Sequence, residues 1–208
     1  MSAQTTLERP HVWQPGSGGP PLLLLHGTGA DEHDLLPLGH NLSPSSPLLS
    51  PRGAILEGSM PRFFRRLREG VFDEDDLRAR TDELAEFVTA AGTAYDVEAG
   101  SWVAVGFSNG ANIASSLLMR HPQLLSGAVL LAAMVPYRQQ PAGVDLTGRW
   151  AVVANGQRDP MATPAETTTL VETLRSLGAQ VDVLSHEGGH TIDQTQLPRM
   201  ATVVAEGL

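Results

Sequence analysis

Short, continuous apolar runs alternate along this chain with segments whose apolar positions recur at helical spacing. The apolar runs lack a polar residue at every second position, which is typical of strands that are buried on both faces of a sheet. Because the runs are only three to six residues long, strands fit them better than helices. Six strands are predicted, at residues 21–25, 48–50, 102–107, 128–132, 150–154 and 181–184.

Helical patterns fall between these runs. Residues 74–91 carry apolar side chains at helical spacing and charged side chains on the opposite face. Further along, Thr163, Pro164 and Glu166 are typical of an N-cap, a first-turn proline and the returning acid of a capping box. The predicted helices span residues 34–42, 74–91, 109–120, from 164 to near 178, and from about 193 to 206.

Strands that alternate with helices over the whole length predict a mostly parallel sheet with helices on both faces and right-handed crossovers. We expect residues 1–208 to form a single α/β domain of this kind. Sites in such sheets form beyond the carboxyl ends of the strands. Residues 50–76 form a longer connection that we expect to be irregular, and this connection is a candidate wall or lid of a pocket.

Composition and charge narrow the class of protein. With 41% hydrophobic and 18% charged residues, the chain falls among folded globular proteins rather than disordered ones. A formal net charge of −9 repels phosphate backbones, so we expect no nucleic-acid partner. The absence of cysteine excludes disulfides, thiolate metal sites and a cysteine nucleophile.

The sequence contains neither an apolar signal core near its start nor the roughly eighteen apolar residues that span a bilayer. We therefore expect a cytoplasmic protein that does not insert into membranes. The oligomeric state is left open, and a homodimer is compatible with the sequence.

A candidate nucleophile follows the apolar run at residues 102–107. Residues 106–110 match G-x-S-x-G, with Ser108 at the centre, between a predicted strand and a predicted helix. The motif requires this sharp strand-to-helix turn, in which glycine flanks relieve crowding and the serine is presented above the sheet. The alternative is a plain glycine-rich turn without chemistry.

A second glycine-bracketed loop follows the first apolar run, at His26-Gly27-Thr28-Gly29. In a parallel sheet this loop lies beside the serine turn. The Thr28 N–H and the Asn109 N–H are therefore candidate donors to an oxyanion that develops on a carbonyl substrate. The alternative is a tight turn that closes the first crossover.

The general base and its orienting acid are expected in the chain order Ser, Asp or Glu, His. His190 lies after the last predicted strand, in the loop Glu187-Gly188-Gly189-His190, and is the predicted base. His186 is the competing candidate. Asp159 follows the strand at residues 150–154 and is the predicted acid, although it could merely cap a turn.

The same region formally matches a zinc-protease motif. His186-Glu187-Gly188-Gly189-His190 fits H-E-x-x-H, which requires a helix to place both histidines on one face. Two glycines inside a helix cost about 1 kcal/mol each, and the preceding residues have the pattern of a strand. We therefore predict no metal site here.

Through these motifs, the sequence resembles the phospholipase/carboxylesterase family of small α/β-hydrolases, which also contains acyl-protein thioesterases. The resemblance covers nearly the whole chain and is most specific in its bacterial carboxylesterase branch, through residues 25–38, 50–53 and 60–66. It implies the α/β-hydrolase fold and an esterase without a cofactor. It also implies Ser108, Asp159 and His190 as the triad, with Thr28 and Asn109 as oxyanion donors. The family often has glutamine where this chain has Asn109, which affects the shape of the pocket.

The predicted activity is hydrolysis of small-molecule carboxylic esters by a serine carboxylesterase through an acyl-enzyme intermediate. One alternative is a ligand-binding or sensory protein with little turnover, and another is an acyl thioesterase or lysophospholipase. Met60, Phe63 and Phe64 are candidate pocket residues, although a core position fits each of them equally well. The nearby arginines favour either an anionic substrate or a solvated face paired with residues 73–76; they are Arg62, Arg65, Arg66 and Arg68.

Overall fold

The computed structural model describes residues 7–208, and a seven-stranded sheet runs through them. In order across the sheet, its strands are β1 (His11–Gln14), β3 (Leu48–Pro51), β2 (Leu22–Leu25), β8 (Trp102–Phe107), β9 (Leu125–Leu131), β10 (Trp150–Gly156) and β11 (Gln180–His186). All neighbouring strands are parallel except β1, which pairs antiparallel with β3 at one edge. The predicted α/β architecture with a mostly parallel sheet is therefore confirmed.

Within the described part of the chain, five helices cover the sheet: α1 (Leu36–Leu42), α2 (Glu74–Tyr95), α3 (Asn109–Arg120), α4 (Pro164–Ser176) and α5 (Leu197–Glu206). Helices α1 and α5 pack on one face, and α2, α3 and α4 pack on the other, so that each face has its own buried apolar cluster. All five predicted helices are present. The last one begins later than predicted, because a 3-10 turn at Gln194–Gln196 precedes it.

Helix α4 begins as its sequence predicts, with one exception. The Thr163 hydroxyl accepts a hydrogen bond from the Glu166 N–H, which is the expected N-cap. The Glu166 carboxylate does not turn back to the cap but accepts from the Val135 N–H at 3.3 Å. Glu166 therefore ties α4 to the loop that follows β9.

The segment at residues 50–76, which we predicted to be irregular, is largely a pair of short hairpins. The first joins β4 (Ile55–Glu57) to β5 (Met60–Arg62), and the second joins β6 (Arg66–Arg68) to β7 (Val71–Phe72). Strands of two or three residues have too little periodicity to be recognised in a sequence. Both hairpins lie above the carboxyl end of the sheet, where they contribute to the walls of a cleft.

None of the helices between residues 7 and 208 combines the length with the apolar character that a bilayer crossing requires.

Candidate active site

Ser108 lies at the turn between β8 and α3, in a backbone conformation that side-chain-bearing residues rarely adopt. Its φ is 53° and its ψ is −114°, outside the allowed regions for an L-residue. Such strain persists only where the surrounding structure enforces it. A hydrogen bond from the Ser108 N–H to the Leu131 carbonyl, at 2.8 Å, fixes the turn to the neighbouring strand.

The two flanking glycines are required by close backbone approach. A Cβ at Gly106 would lie 2.5 Å from the Gly110 carbonyl oxygen, and a Cβ at Gly110 would lie 1.8 Å from the Leu25 carbonyl oxygen. Both distances are far below van der Waals contact. The turn therefore packs directly on the end of β2, which brings the loop after β2 beside Ser108.

His190 lies between Ser108 and Asp159 and is within hydrogen-bond distance of both. Its Nε2 is 2.8 Å from the Ser108 Oγ, and its Nδ1 is 2.7 Å from the Asp159 Oδ2. The structure thus brings together three side chains that are widely separated in the sequence. The geometry allows the imidazole to take a proton from the hydroxyl while the carboxylate holds the ring.

The Asp159 carboxylate is fully buried and is held in one orientation. Its second oxygen, Oδ1, accepts hydrogen bonds from the N–H groups of Met161 at 2.8 Å and Ala162 at 3.0 Å. These bonds compensate for the loss of hydration that burial imposes on a carboxylate. Oδ2 is left to face His190.

The loops that carry Asp159 and His190 are joined by backbone hydrogen bonds. The Gln157 N–H donates to the His186 carbonyl at 2.8 Å, and the Arg158 N–H donates to the Gly188 carbonyl at 2.9 Å. A Cβ at Gly156 would lie 2.2 Å from the Gly189 carbonyl, so the two loops are in direct contact. This pairing sets the relative position of the acid and the histidine.

Thr28 and Asn109 both border the cleft above Ser108. Asn109 is the first residue of α3, and N–H groups in the first turn of a helix have no intrahelical acceptor. The positive end of the α3 dipole adds to the potential at that point. Thr28 and Asn109 thus border the same cleft as Ser108, and their backbone N–H groups remain candidate oxyanion donors.

The cleft has a volume of about 430 Å³ and a mixed lining. Apolar side chains and charged side chains both reach it, and the hairpins form one side. Its lining includes Met60, Phe72, Phe107, Met134 and Met161 among the apolar residues and Asp34, Arg62, Arg66 and Glu69 among the charged ones. A space of this size accommodates a small ester.

Of the three predicted pocket residues, only Met60 lines the cleft. Phe63 and Phe64 belong to the hydrophobic core, where their exposed fractions are 1% and 0%. Phe63 packs on His26, and Phe64 packs edge-on against Phe72. The prediction of a pocket position was wrong for these two, because an apolar residue in a loop satisfies either position and sequence spacing does not distinguish them.

Three of the four arginines in this region distinguish a site for an anionic substrate from a solvated face, while Arg68 is exposed in β6. The side chain of Arg65 is 62% exposed, as a solvated face requires, and it pairs with the half-buried Asp73 and the buried Asp76. Arg62 and Arg66 instead border the cleft, and both contact Glu57. Burial lowers the pKa of Arg62 from its usual value, and Arg66 lowers it further, but Arg remains charged in proteins at neutral pH.

The H-E-x-x-H match does not form a helix. His186 is the last residue of β11, and the residues after it form bends. The Nδ1 of His186 accepts a hydrogen bond from the Gly188 N–H at 3.1 Å. The two histidines therefore do not have the helical spacing on which that motif depends.

His26 supports the loop that carries Thr28. Its ring is fully buried, Nδ1 donates to the Gly27 carbonyl at 2.7 Å, and Nε2 accepts from the Gly53 N–H at 3.0 Å. This pair of bonds requires a neutral ring with the proton on Nδ1. Burial lowers the pKa of His26, an effect only partly opposed by its bond to Gly27 and by nearby carboxylates.

The lowered pKa of His26 predicts a pH-dependent contribution to stability. Below about pH 6.5 the unfolded chain takes up a proton on this residue that the folded chain does not. His26 therefore contributes stability that is present above pH 6.5 and is lost as the pH falls toward its folded pKa. As the pH decreases below 6.5, we expect the unfolding free energy of wild type to fall relative to that of His26→Gln. The expected fall is at most about 1.4 kcal/mol per pH unit. Urea unfolding at pH 7.5, 6.5 and 5.5 measures this, and parallel profiles for the two proteins would contradict it.

The sequence and the fold match those of a known hydrolase family. The sequence model of the Phospholipase/Carboxylesterase family matches residues 19–206. The chain therefore belongs to the phospholipase/carboxylesterase family, and its fold is the α/β-hydrolase fold. This membership supports an enzyme that hydrolyses esters.

Individual relatives are similar over most of their length. MhqD of Bacillus subtilis (strain 168), a protein assigned to the hydrolases, is 46% identical over 186 residues, which are 88% of this chain and 92% of MhqD. The carboxylesterase of Bacillus cereus is 41% identical and has a TM-score of 0.93, with 99% of this chain and 97% of that chain covered. The carboxylesterase of Mesorhizobium loti is 31% identical with a TM-score of 0.86, over 92% of this chain and 90% of its own.

Sequence reasoning did not identify several residues that border the cleft. Ala132 directly follows β9, and Met161 lies two residues after Asp159. Binding sites in parallel sheets form beyond the carboxyl ends of the strands, and this rule could have identified both residues. Ala132 also has a positive φ of 53°, which only the structure reveals. Asn112 lies one turn into α3, and its side chain accepts from the Met134 N–H at 2.8 Å.

Proposed function

We propose that this chain is a serine carboxylesterase that hydrolyses small carboxylic esters through an acyl-enzyme intermediate. The observation that carries the proposal is the contact of His190 with Ser108 on one side, at 2.8 Å, and with Asp159 on the other, at 2.7 Å. A hydroxyl, an imidazole and a carboxylate in this order form the arrangement that activates a serine nucleophile. Family membership supports the ester as the substrate class.

The first step is the acylation of Ser108. As the Ser108 Oγ attacks the ester carbonyl carbon, the Nε2 of His190 accepts the hydroxyl proton. The carbonyl oxygen becomes an oxyanion that accepts hydrogen bonds from the Thr28 and Asn109 N–H groups. When the tetrahedral intermediate collapses, His190 passes the proton to the departing alkoxide, and an alcohol leaves.

The second step releases the acid. A water molecule attacks the acyl-serine while His190 accepts one of its protons, and a second oxyanion forms in the same place. Collapse returns the proton to the Ser108 Oγ and frees the carboxylic acid. Asp159 keeps the imidazole in the tautomer whose Nε2 accepts a proton. Because both steps use only these side chains, backbone N–H groups and water, the proposed mechanism requires no cofactor.

The dimensions of the cleft support small substrates. A volume of about 430 Å³ holds a short acyl group and a compact alcohol, and several of its apolar contacts come from methionine side chains. Methionine adapts its shape to different neighbours, which favours tolerance toward the acyl group. The carboxylesterases of Bacillus cereus and Mesorhizobium loti, to which this chain is similar, carry the same activity in their names.

Hydrolysis of p-nitrophenyl acetate and butyrate tests the proposed activity, with acyl thioesters of the same chain lengths measured in parallel. We expect turnover of the p-nitrophenyl esters and an initial burst of p-nitrophenol when acylation is faster than deacylation. Faster cleavage of the thioesters would identify a thioesterase instead. No turnover of either class at high enzyme concentration would favour a protein that binds ligands without hydrolysing them.

A further inference from the structure

We propose that Pro61, Arg62 and Phe63 form a clamp that positions the two oxyanion donors, with Arg62 as its main positioning residue. We call residues 61–63 the oxyanion clamp. Each of its three residues is hydrogen-bonded to a residue of the proposed oxyanion site or to that residue's neighbour. The inference rests on the proposed function, because it concerns how the Thr28 and Asn109 N–H groups are held.

Arg62 makes the contact with Thr28. Its Nη1 donates to the Thr28 Oγ1 at 2.8 Å, and its Nε donates to the Phe64 carbonyl at 3.1 Å. The side chain is only 4% exposed although it borders the cleft. A guanidinium is planar, so fixing Nε on the backbone also fixes the direction of Nη1. The Thr28 hydroxyl is thereby held by a rigid donor.

Glu57 completes the support of Arg62. Its Oε2 is 3.2 Å from the Arg62 Nη1, while its carboxylate also accepts from the Nε and Nη2 of Arg66. A buried cation without a partner would be costly, and this carboxylate compensates the charge. In the first hairpin Glu57 is opposite Met60, and Arg62 lies two residues further along β5, so Glu57 and Arg62 are diagonal neighbours on the same face.

The other two clamp residues act through the backbone. The Gly29 N–H donates to the Pro61 carbonyl at 3.0 Å, which joins the loop of Thr28 to β5. The Phe63 N–H donates to the Asn109 Oδ1 at 2.7 Å, which joins the start of α3 to the same three residues. One short stretch of chain is therefore bonded to both sides of the oxyanion site.

This arrangement has a consequence for catalysis. Two donors stabilise an oxyanion only if both N–H groups point at the place where the charge develops. Thr28 lies in a loop and Asn109 lies in a helix, so the distance between their N–H groups depends on what connects them. The oxyanion clamp supplies that connection, and it also gives the Asn109 side chain a structural role that is separate from its backbone N–H.

Two variants test the clamp from opposite ends. Thr28→Val removes the hydroxyl that accepts from Arg62 and keeps the shape and the backbone N–H, while Arg62→Gln removes the donor. We expect each to lower kcat for p-nitrophenyl butyrate by about 10-fold to 100-fold with KM changed less than about threefold, since displacing a donor costs no more than deleting it. The double variant is expected to be no slower than the slower single variant, because both remove the same contact.

Binding of benzeneboronic acid gives a readout that needs no turnover. The Ser108 Oγ adds to the trigonal boron to form an O–B bond and a tetrahedral boronate anion, while the hydroxyl proton passes to the Nε2 of His190. The affinity of the boronic acid therefore reports the oxyanion site. We expect its Kd, measured by isothermal titration calorimetry, to rise by the same factor as kcat falls in each variant. A purely structural role would lower the melting temperature and leave the Kd of the folded variants unchanged. Arg65→Gln is the matched control, because the Arg65 side chain is 62% exposed and does not line the cleft.

The outcomes separate the clamp from the proposed function. Wild type that binds boronate but cleaves no ester would refute the esterase and leave the clamp to be judged by boronate affinity alone. The clamp is refuted if Thr28→Val keeps kcat and boronate affinity within twofold of wild type, whether or not Arg62→Gln folds. Independent, multiplicative losses in the double variant would also refute it.

Discussion

The Ser108→Ala variant is expected to hydrolyse p-nitrophenyl esters with a kcat about 10⁶-fold below that of wild type. In a serine hydrolase of another fold, loss of the nucleophile costs roughly this factor, and the remaining rate comes from substrate binding and the oxyanion site. The substitution removes the only atom that could form the acyl-enzyme at this position. Ala also fits the strained turn no worse than Ser, so the fold is expected to persist.

Ser115→Ala is the matched control for this experiment. Ser115 lies in α3, the helix that begins directly after Ser108, and its hydroxyl is buried without a partner among residues 7–208. Its removal deletes an unsatisfied polar group and introduces a better helix former, so we expect wild-type activity and an unfolding free energy that is unchanged or up to about 1 kcal/mol higher. Ester hydrolysis by Ser108→Ala within tenfold of the wild-type rate would contradict the assignment of the nucleophile.

The second large effect is expected for Asp159→Asn, which should lower kcat by about 10⁴-fold, as the equivalent change does in serine proteases. Two backbone N–H groups bond to Oδ1 of Asp159, so the amide oxygen of asparagine will take that position and the NH₂ group will face His190. An NH₂ group donates and cannot accept from Nδ1. His190 must then carry its proton on Nε2, where it cannot accept the proton of Ser108.

This prediction has a conservative control in Asp145→Asn. Asp145 precedes β10 and accepts from the Thr147 N–H through one oxygen, a role that an amide oxygen can also fill. We expect that variant to retain wild-type kcat. The loss in Asp159→Asn should persist across the pH range of folded protein, because it comes from the wrong tautomer and not from a shifted pKa. Recovery of activity at high pH to near the wild-type value would contradict the tautomer argument.

The parallel sheet and the helices were predictable from the sequence because they depend on strong local signals. Continuous apolar runs between turn residues indicated the buried strands, and the capping residue Thr163 marked where α4 begins. Strand β1 was missed because its residues are only partly buried at an edge, so it has no continuous apolar pattern. The two short hairpins were missed because strands of two or three residues are too short to show a period.

The candidate site was predictable to the extent that it follows from topology. Strand ends in a parallel sheet meet at one edge, so the order of Ser108, Asp159 and His190 along the chain sufficed to propose their meeting. The positions of Phe63, Phe64 and Arg62 were not predictable in this way. Whether a loop side chain enters the core or borders the cleft depends on tertiary packing, and a buried arginine is recognised only when its partners are known.

The most direct test of the account is to identify which residue a fluorophosphonate modifies. The reagent reacts with serines that an adjacent base activates, and digestion followed by mass spectrometry locates the adduct. We predict a single adduct on the peptide that contains Ser108, and none on the Ser108→Ala variant under the same conditions. An adduct on another serine, or an equally modified Ser108→Ala protein, would contradict the claim that Ser108, His190 and Asp159 act together.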